Sequence, residues 1–306
     1  YEDKFGVFEV GMSKPGEIRN LTKLIKPHIG IITNIGEAHI ENFKNIHGIA
    51  KAKSEIIENI KVGGTVILNR DDKFFNFLSK KAKKYKLNIS TFGKHKDSDV
   101  RIDKIIRKVN KSKIFIKIKN QKINLEIRDI NFYNVLASLA VLKELNLDLS
   151  NILTKFKNFK SSEGRGKKYT ISRYNKKFKF IDESYNANPS SVKNAIKKLS
   201  LIKKEEFKKY LILGDMLELG SKSKKFHEDL SKVINNSDID KVFIKGKKIF
   251  FTYKHISKEK RGNILQNNED IDLSLSEMIS KNDYLMIKGS NATGLNDFSK
   301  KMIKGI

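Results

Sequence analysis

The sequence has no cysteine, no internal repeat, no low-complexity tract beyond a general lysine and asparagine bias, and few acids for its bases. The absence of cysteine excludes disulfides and thiolate metal sites and allows a reducing compartment. No stretch approaches the roughly 18 consecutive apolar residues of a spanning helix, and no signal-peptide pattern opens the chain. A soluble, cytoplasmic protein without membrane insertion is therefore expected. Lys+Arg number 63 against Asp+Glu 35, a net charge of +28. Such a balance usually points to nucleic acid or an anionic surface. Here the lysines run along the whole chain rather than gathering in one arm, so compositional bias accounts for them and no nucleic-acid partner is expected.

What is present is enough for real cores: 39% of 306 residues are hydrophobic, and at about 150 residues per domain the length predicts two domains. The chain starts at Tyr1 without methionine and enters at once an apolar run, residues 5–11, that reads as a strand. This predicts a chain whose beginning is missing. Pro15-Gly16-Glu17 then leads into a helix with Ile18, Leu21, Leu24 and Ile25 on one face, and residues 29–36 read as a second strand. Strand, helix, strand at this spacing predicts a right-handed βαβ unit. Further strands are expected at 65–69, 89–93, 100–107, 113–119 and 122–127, the later ones antiparallel, with a helix between Phe74 and Lys84 and an apolar helix from Asn134. Polar, lysine-rich residues 150–162 predict the domain boundary, giving domains 1–162 and 163–306. In the second, a hairpin of strands 169–174 and 177–182 turns at Asn175-Lys176, and strands follow at 210–214, 241–246 and 284–289. Interleaved helical segments make this half a Rossmann-like three-layer domain.

Two residues stand out by position. His39 follows the carboxyl end of the 29–36 strand, and Glu9 ends the opening strand, so both are expected on the rim where open α/β sheets bind ligands. A carboxylate and an imidazole there can hold a divalent cation. Lys53 falls on an apolar helical stripe, seven residues from both Ile46 and Ile60. A buried ammonium is costly, so this lysine is snorkelling, ion-paired or chemically engaged.

Several blocks together carry a resemblance. Glu9-Val10-Gly11, Ile32-Thr33-Asn34-Ile35-Gly36 with Ala38-His39-Ile40-Glu41, and Ala52-Lys53-Ser54-Glu55-Ile56 resemble the Mur ligases of peptidoglycan synthesis. Asp182-Glu183-Ser184-Tyr185-Asn186-Ala187-Asn188-Pro189, Leu213-Gly214-Asp215-Met216-Leu217-Glu218-Leu219-Gly220 and Lys288-Gly289-Ser290 are similar to its MurF-type branch. The resemblance implies a partial central ATP-binding domain, mostly parallel with an antiparallel portion, followed by a Rossmann-like ligase domain. It implies ATP-dependent addition of D-Ala-D-Ala to a UDP-MurNAc-tripeptide through an acyl phosphate, with Mg²⁺ and in a monomer. Glu9, His39 and Lys53 would be metal ligands, Lys53 as a carbamate, with His39 and Lys53 serving catalysis. Asn134, Arg165, Asp182, Tyr185, Asn186, Asn188 and Pro189 would bind the nucleotide, and Asn34, Lys288 and Ser290 the other substrates. Taken singly, Asn134 could cap its helix, Asn188 could cap the helix opened by Pro189, and Arg165 could be a hinge charge. His227, on a polar helix after Gly220, reads as structural.

Two departures from the family pattern are visible. No Gly-Lys pair is followed by the hydroxyl residue of a phosphate-binding loop, so the sequence resembles a piece cut inside the central domain, expected to be inactive alone. Asp129-Ile130 stand where the family has glycine-histidine. The alternatives are a basic nucleic-acid-binding protein and a non-catalytic relative that binds nucleotide or muropeptide. The carbamate expectation has a direct test. In the full protein, Lys53→Ala should lower turnover by at least about a hundredfold, with partial rescue by a small carboxylic acid; unchanged turnover would make Lys53 a snorkelling residue.

Overall fold

A computed structural model describes residues 4–108, 111–127, 131–159, 161–203 and 206–305. Two compact units emerge, one of Tyr1–Gly36 and Asn42–Phe159, the other of Glu37–Glu41 and Lys160–Ile306. Asp129-Ile130 lie outside the described residues. Among the described residues no helix is long and apolar enough to cross a membrane.

The first unit is built on a sheet in chain order: β1 (Ile29–Ile32), β2 (Thr65–Asn69), β3 (Asn88–Gly93), β4 (Val100–Lys108), β5 (Lys111–Ile118) and β6 (Gln121–Ile127). The first four strands are parallel and the last three form an antiparallel meander. All five residues of β2 are buried, as expected for a parallel strand covered on both faces. In the meander, Ile114, Ile116 and Ile118 point inward in strict alternation, the period-2 pattern of a half-buried sheet. Helices α1 (Glu17–Ile25), α2 (Ile46–Lys53), α3 (Phe75–Lys84), α4 (Phe132–Glu144) and α5 (Leu149–Asn158) complete the unit. Helix α4 lays Val135, Leu136, Leu139 and Ala140 on the core formed with Ile67, Phe92 and Val100.

In the second unit, β7 (Lys167–Arg173) and β8 (Lys176–Asp182) form a hairpin, followed by α6 (Pro189–Ser200), β9 (Lys209–Gly214), α7 (Ser223–Asn235) and β10 (Lys241–Lys245). Then come α8 (Phe250–His255), β11 (Arg261–Ile264), α9 (Asn268–Met278), β12 (Tyr284–Lys288) and α10 (Leu295–Lys304). The sheet order is β11-β10-β9-β12-β8-β7, parallel apart from β7. The chain steps outward from β9 to β11 and then returns to insert β12 between β8 and β9. The carboxyl ends of β8, β12 and β9 are thus neighbours at a topological switch, where sheets of this kind bind ligands.

Several expectations are corrected. Residues 5–11 form no strand, so the first predicted βαβ unit does not exist. Val7 is 97% and Phe8 65% exposed, and the segment gains neither burial nor a ladder to offset the entropy of ordering it. The 29–36 strand stops at Ile32, and β1 continues as irregular chain. Residues 150–162 are not all linker: Asp148 accepts from the Ser150 N–H and caps α5. The hairpin turns at Tyr174 and Asn175, both left-handed at φ 55° and 56°, one residue before the expected place; this pair makes the turn whose twist matches the flanking strands. Strand β11 was missed because Arg-Gly-Asn-Ile has no apolar run.

Phe180 lies on β8 with no exposed surface and packs within the second unit's core beside Phe178, Tyr210 and Leu285. Phe180→Ala should cost about 3–5 kcal/mol, read as a lower urea midpoint for unfolding of this unit; an unchanged midpoint would contradict this packing.

Candidate active site

In the second unit the site is assembled at the carboxyl ends of β8 and β12. Asp182 closes β8 and is 2% exposed. Its Oδ2 accepts from the Gly164 N–H at 2.7 Å, and its Oδ1 accepts from the Ser184 hydroxyl at 2.6 Å and the Ser184 N–H at 3.2 Å. Three donors satisfy most of a buried carboxylate's lone pairs. The turn before β7 is thereby folded back on the end of β8, and the Tyr185 N–H donates to the Gly164 carbonyl at 3.1 Å. Arg165, next in the turn, sets its guanidinium 4.2 Å from the centroid of the Tyr185 ring. The ring itself is 51% exposed, a flat surface backed by a cation.

Lys288 ends β12, 2% exposed. Its ammonium donates to the Asn186 carbonyl at 3.0 Å and lies 3.5 Å from Glu183 Oε2. Burial pushes Lys288 below the ordinary lysine value, Glu183 opposes the shift, and Lys198 and Arg165 add to it. Asn188 accepts from the Ser191 N–H at 2.9 Å while the Ser191 hydroxyl accepts from the Asn188 N–H at 3.0 Å. This capping box, with Pro189 as the first helical residue, starts α6. The Asn188 side chain thus takes the capping role that its position allowed. Ser290 is buried, and its hydroxyl donates to the Ala187 carbonyl at 3.3 Å. Arg165, Asp182, Tyr185, Asn186, Asn188, Pro189, Lys288 and Ser290 therefore belong to one edge of one sheet.

Asn134, Lys53, Asn34 and Glu9 belong to the first unit. Asn134 lies exposed in the first turn of α4, whose cap is Asn131. Next to it, Tyr133 donates its hydroxyl to Asp71 Oδ2 at 2.9 Å, and burial with this bond pushes Tyr133 up to about 12. Asp71 also accepts from the N–H groups of Lys94 at 2.6 Å and His95 at 2.9 Å. Lys53 is half-buried and donates to the Asn34 carbonyl at 3.0 Å, just beyond β1. Burial lowers its pKa and Asp72 opposes the shift. Asp72 in turn accepts from the Ile35 N–H at 2.8 Å. Glu9 is exposed on irregular chain rather than at a strand end.

His39 falls in the second unit, in the left-handed region at φ 57°, with Nδ1 paired to Glu218. Such a conformation in a non-glycine residue costs energy and recurs at functional sites. No group of three metal-ligating His, Asp or Glu side chains is found among the described residues. An unmodified ammonium does not ligate a cation, so Lys53 suits one only if converted to a carboxylate-like group.

Sequence reasoning named no role for Glu183, Ser184 or Gly164. The first two lie inside a quoted block; the Glu183 partners Lys198 and Lys288 come from distant segments, whereas Ser184 bonds Asp182 two residues before it. Glu55 was quoted only as part of a block; buried, it accepts from Gly16 N–H at 2.9 Å and Arg19 N–H at 3.1 Å and so closes the N-terminus of α1.

Residues 1–142 match the Mur ligase middle domain, and residues 169–291 the Mur ligase, glutamate ligase domain. A UDP-N-acetylmuramoyl-tripeptide--D-alanyl-D-alanine ligase of Buchnera aphidicola subsp. Acyrthosiphon pisum is 30% identical over 320 residues, covering 99% of this chain and 66% of the relative. The like-named ligase of Bacillus subtilis is 29% identical, over 98% of this chain and 65% of the relative. The chain thus spans just under two thirds of these curated relatives. Among solved structures, MurF from Acinetobacter baumannii superposes with a TM-score of 0.83 at 25% identity, covering 96% of this chain and 63% of that one. MurF from Thermotoga maritima in complex with ADP superposes at 0.82 with 24% identity, over 97% and 67%. The expected fold, two mainly parallel α/β sheets of this kind, is borne out.

Gly164 makes the turn possible. It sits at φ +71°, and an added Cβ would lie 2.7 Å from Tyr185 Cβ and 2.9 Å from its backbone nitrogen. Gly164→Ala should destabilise the unit by about 1–3 kcal/mol, seen as a lower melting temperature; a melt like that of the unsubstituted protein would contradict the tightness of this turn.

Proposed function

The chain belongs to the Mur ligase family, and from that membership we propose that it acts as a MurF-type ligase in peptidoglycan synthesis. It joins the terminal carboxylate of a UDP-MurNAc-tripeptide to the amine of D-Ala-D-Ala, driven by ATP, as a cytoplasmic monomer. The observation that carries this reading is the gathering of Arg165, Asp182, Tyr185, Asn186, Lys288 and Ser290 on the joint edge of β8 and β12. These are positions that the family resemblance assigns to nucleotide and substrate.

A carboxylate does not react with an amine until its oxygen becomes a leaving group. Transfer of the γ-phosphoryl group of ATP to it gives an acyl phosphate; the amine adds to that carbonyl, and phosphate leaves. Such transfers rest on positioning and on neutralising charge. Arg165 supplies a cation held by the Tyr185 ring, and the exposed ring offers a stacking face for a base. Asp182 keeps one lone-pair site beyond its three internal bonds, which suits a ribose hydroxyl. Lys288 provides a second cation on the same edge, suited to a substrate carboxylate. The resemblance assigns Asn134 to adenine and Asn34 to the tripeptide. It assigns Glu9, His39 and a carbamylated Lys53 to Mg²⁺, which would spread charge on the phosphoryl oxygens.

The comparisons lend no support to a nucleic-acid-binding protein or a non-catalytic relative, nor to inactivity of this chain alone. The test is phosphate release by the full protein with ATP, Mg²⁺, UDP-MurNAc-tripeptide and D-Ala-D-Ala. Release should require both substrates and yield the pentapeptide product; none in the complete mixture would overturn the reading. Arg165→Ala should lower kcat/KM for ATP by about 10–100-fold, the worth of a charge-assisted contact.

A further inference from the structure

Three consecutive residues after β9 alternate between two partners. The Asp215 carbonyl accepts from the Ser290 N–H at 3.0 Å, the Met216 N–H donates to His227 Nε2 at 3.1 Å, and the Leu217 N–H donates to Ser290 Oγ at 3.0 Å. Both the backbone and the hydroxyl of Ser290 are therefore set by a loop whose middle residue is held by an imidazole. His227 projects from α7 and has no exposed surface. Its Nδ1 lies 2.7 Å from the Ser223 carbonyl, and the Thr252 hydroxyl fixes the His227 carbonyl at 2.6 Å. A carbonyl only accepts, so Nδ1 carries the proton. An amide N–H only donates, so Nε2 is bare. The hydrogen bonds on both sides demand one neutral tautomer.

We propose that His227 is a positioning residue for the ligase reaction: its neutral imidazole latches Met216 so that Asp215 and Leu217 present Ser290 at the substrate edge. The proposal rests on the reading of Ser290 as a substrate contact.

A protonated Nε2 would set one N–H against another in a site closed to water. The charged groups facing the ring are Asp215, which favours the imidazolium, and Lys248, which opposes it; the Ser223 carbonyl also favours it. Burial outweighs these and holds His227 below the ordinary histidine value. The sign follows. With the folded value depressed, the unfolded or unlatched chain binds the proton more readily, so the latch is fully present above about pH 6.5 and weakens as pH falls below it.

The test compares the unsubstituted protein with His227→Phe, which removes the acceptor, and His227→Gln, which offers an amide oxygen in its place. Amide exchange by NMR and steady-state kinetics for D-Ala-D-Ala are read together. In His227→Phe the Met216 and Leu217 amides should exchange at least about tenfold faster, and KM for D-Ala-D-Ala should rise at least about tenfold with kcat within about twofold. His227→Gln should stay near the unsubstituted protein in both. Between about pH 7.5 and 5.5 the unsubstituted KM should rise while that of His227→Gln stays flat. Unchanged exchange in His227→Phe overturns the latch. Faster exchange with an unmoved KM, or identical pH profiles for the histidine and glutamine forms, overturns the positioning role. If the unsubstituted protein makes no product from D-Ala-D-Ala, the ligase reading has failed, and the exchange rates alone still decide the latch.

Discussion

A carboxyl group buried away from water must be hydrogen-bonded, and Asp182 is where the second unit meets that demand. Its three donors come from Gly164 and Ser184, on either side in sequence of the hairpin that it closes. Meeting them folds the 162–166 turn against the end of β8, and the Gly166 N–H adds a bond to the Asp182 carbonyl at 2.7 Å. Only then do Arg165 and Tyr185 meet face to face, and only glycine at 164 leaves room for Tyr185. The pairing of Arg165 with Tyr185 is thus a consequence of satisfying one buried acid.

The same edge depends on chain order. Because β12 returns between β8 and β9, residues from three distant segments share it: Glu183 to Ala187, Lys288 to Ser290, and Asp215 to Leu217. The ladder continues past the strands, with the Glu183 N–H donating to the Ile287 carbonyl at 3.0 Å. Lys288 and Ser290 are therefore fixed by backbone register before any side chain contributes. A strand inserted last completes a site whose parts were laid down much earlier in the chain.

This explains what could be read in advance. The strands from β2 to β6 were legible because short β-branched runs between turns leave few alternatives, and the cap at Asn188 was legible because it stands directly before Pro189. Residues 5–11 misled because an apolar run says nothing about whether a neighbour exists to cover it. Helix α5 was hidden by its lysines, and β11 by its lack of an apolar run. At the site, residue types within blocks could be named, but Glu183 against Lys288 is a pairing made by the fold across a long separation, and Met216 against His227 one made across a loop and a helix turn. His227 read as structural from its polar surroundings, whereas its burial and tautomer emerge only from what packs around it.

Three lysines, two buried and one half-buried, differ in how far their partners meet the charge. Lys209 has no exposed surface and divides its ammonium among the carbonyls of Ser200 at 3.0 Å and Ile202 and the carboxylate of Asp238 at 2.9 Å. An ammonium has three donors, so Lys209 is spent on closing the amino end of β9, away from the ligand edge. Lys288 has one carbonyl and a carboxylate at the longer distance of 3.5 Å, and burial holds its pKa down. Lys53 donates to one carbonyl and has Asp72 only as a distant charge. A cation so sparsely met gains from any change that removes its charge or supplies an anion. From Lys209 through Lys288 to Lys53, the ammonium is met by fewer close partners among the described residues.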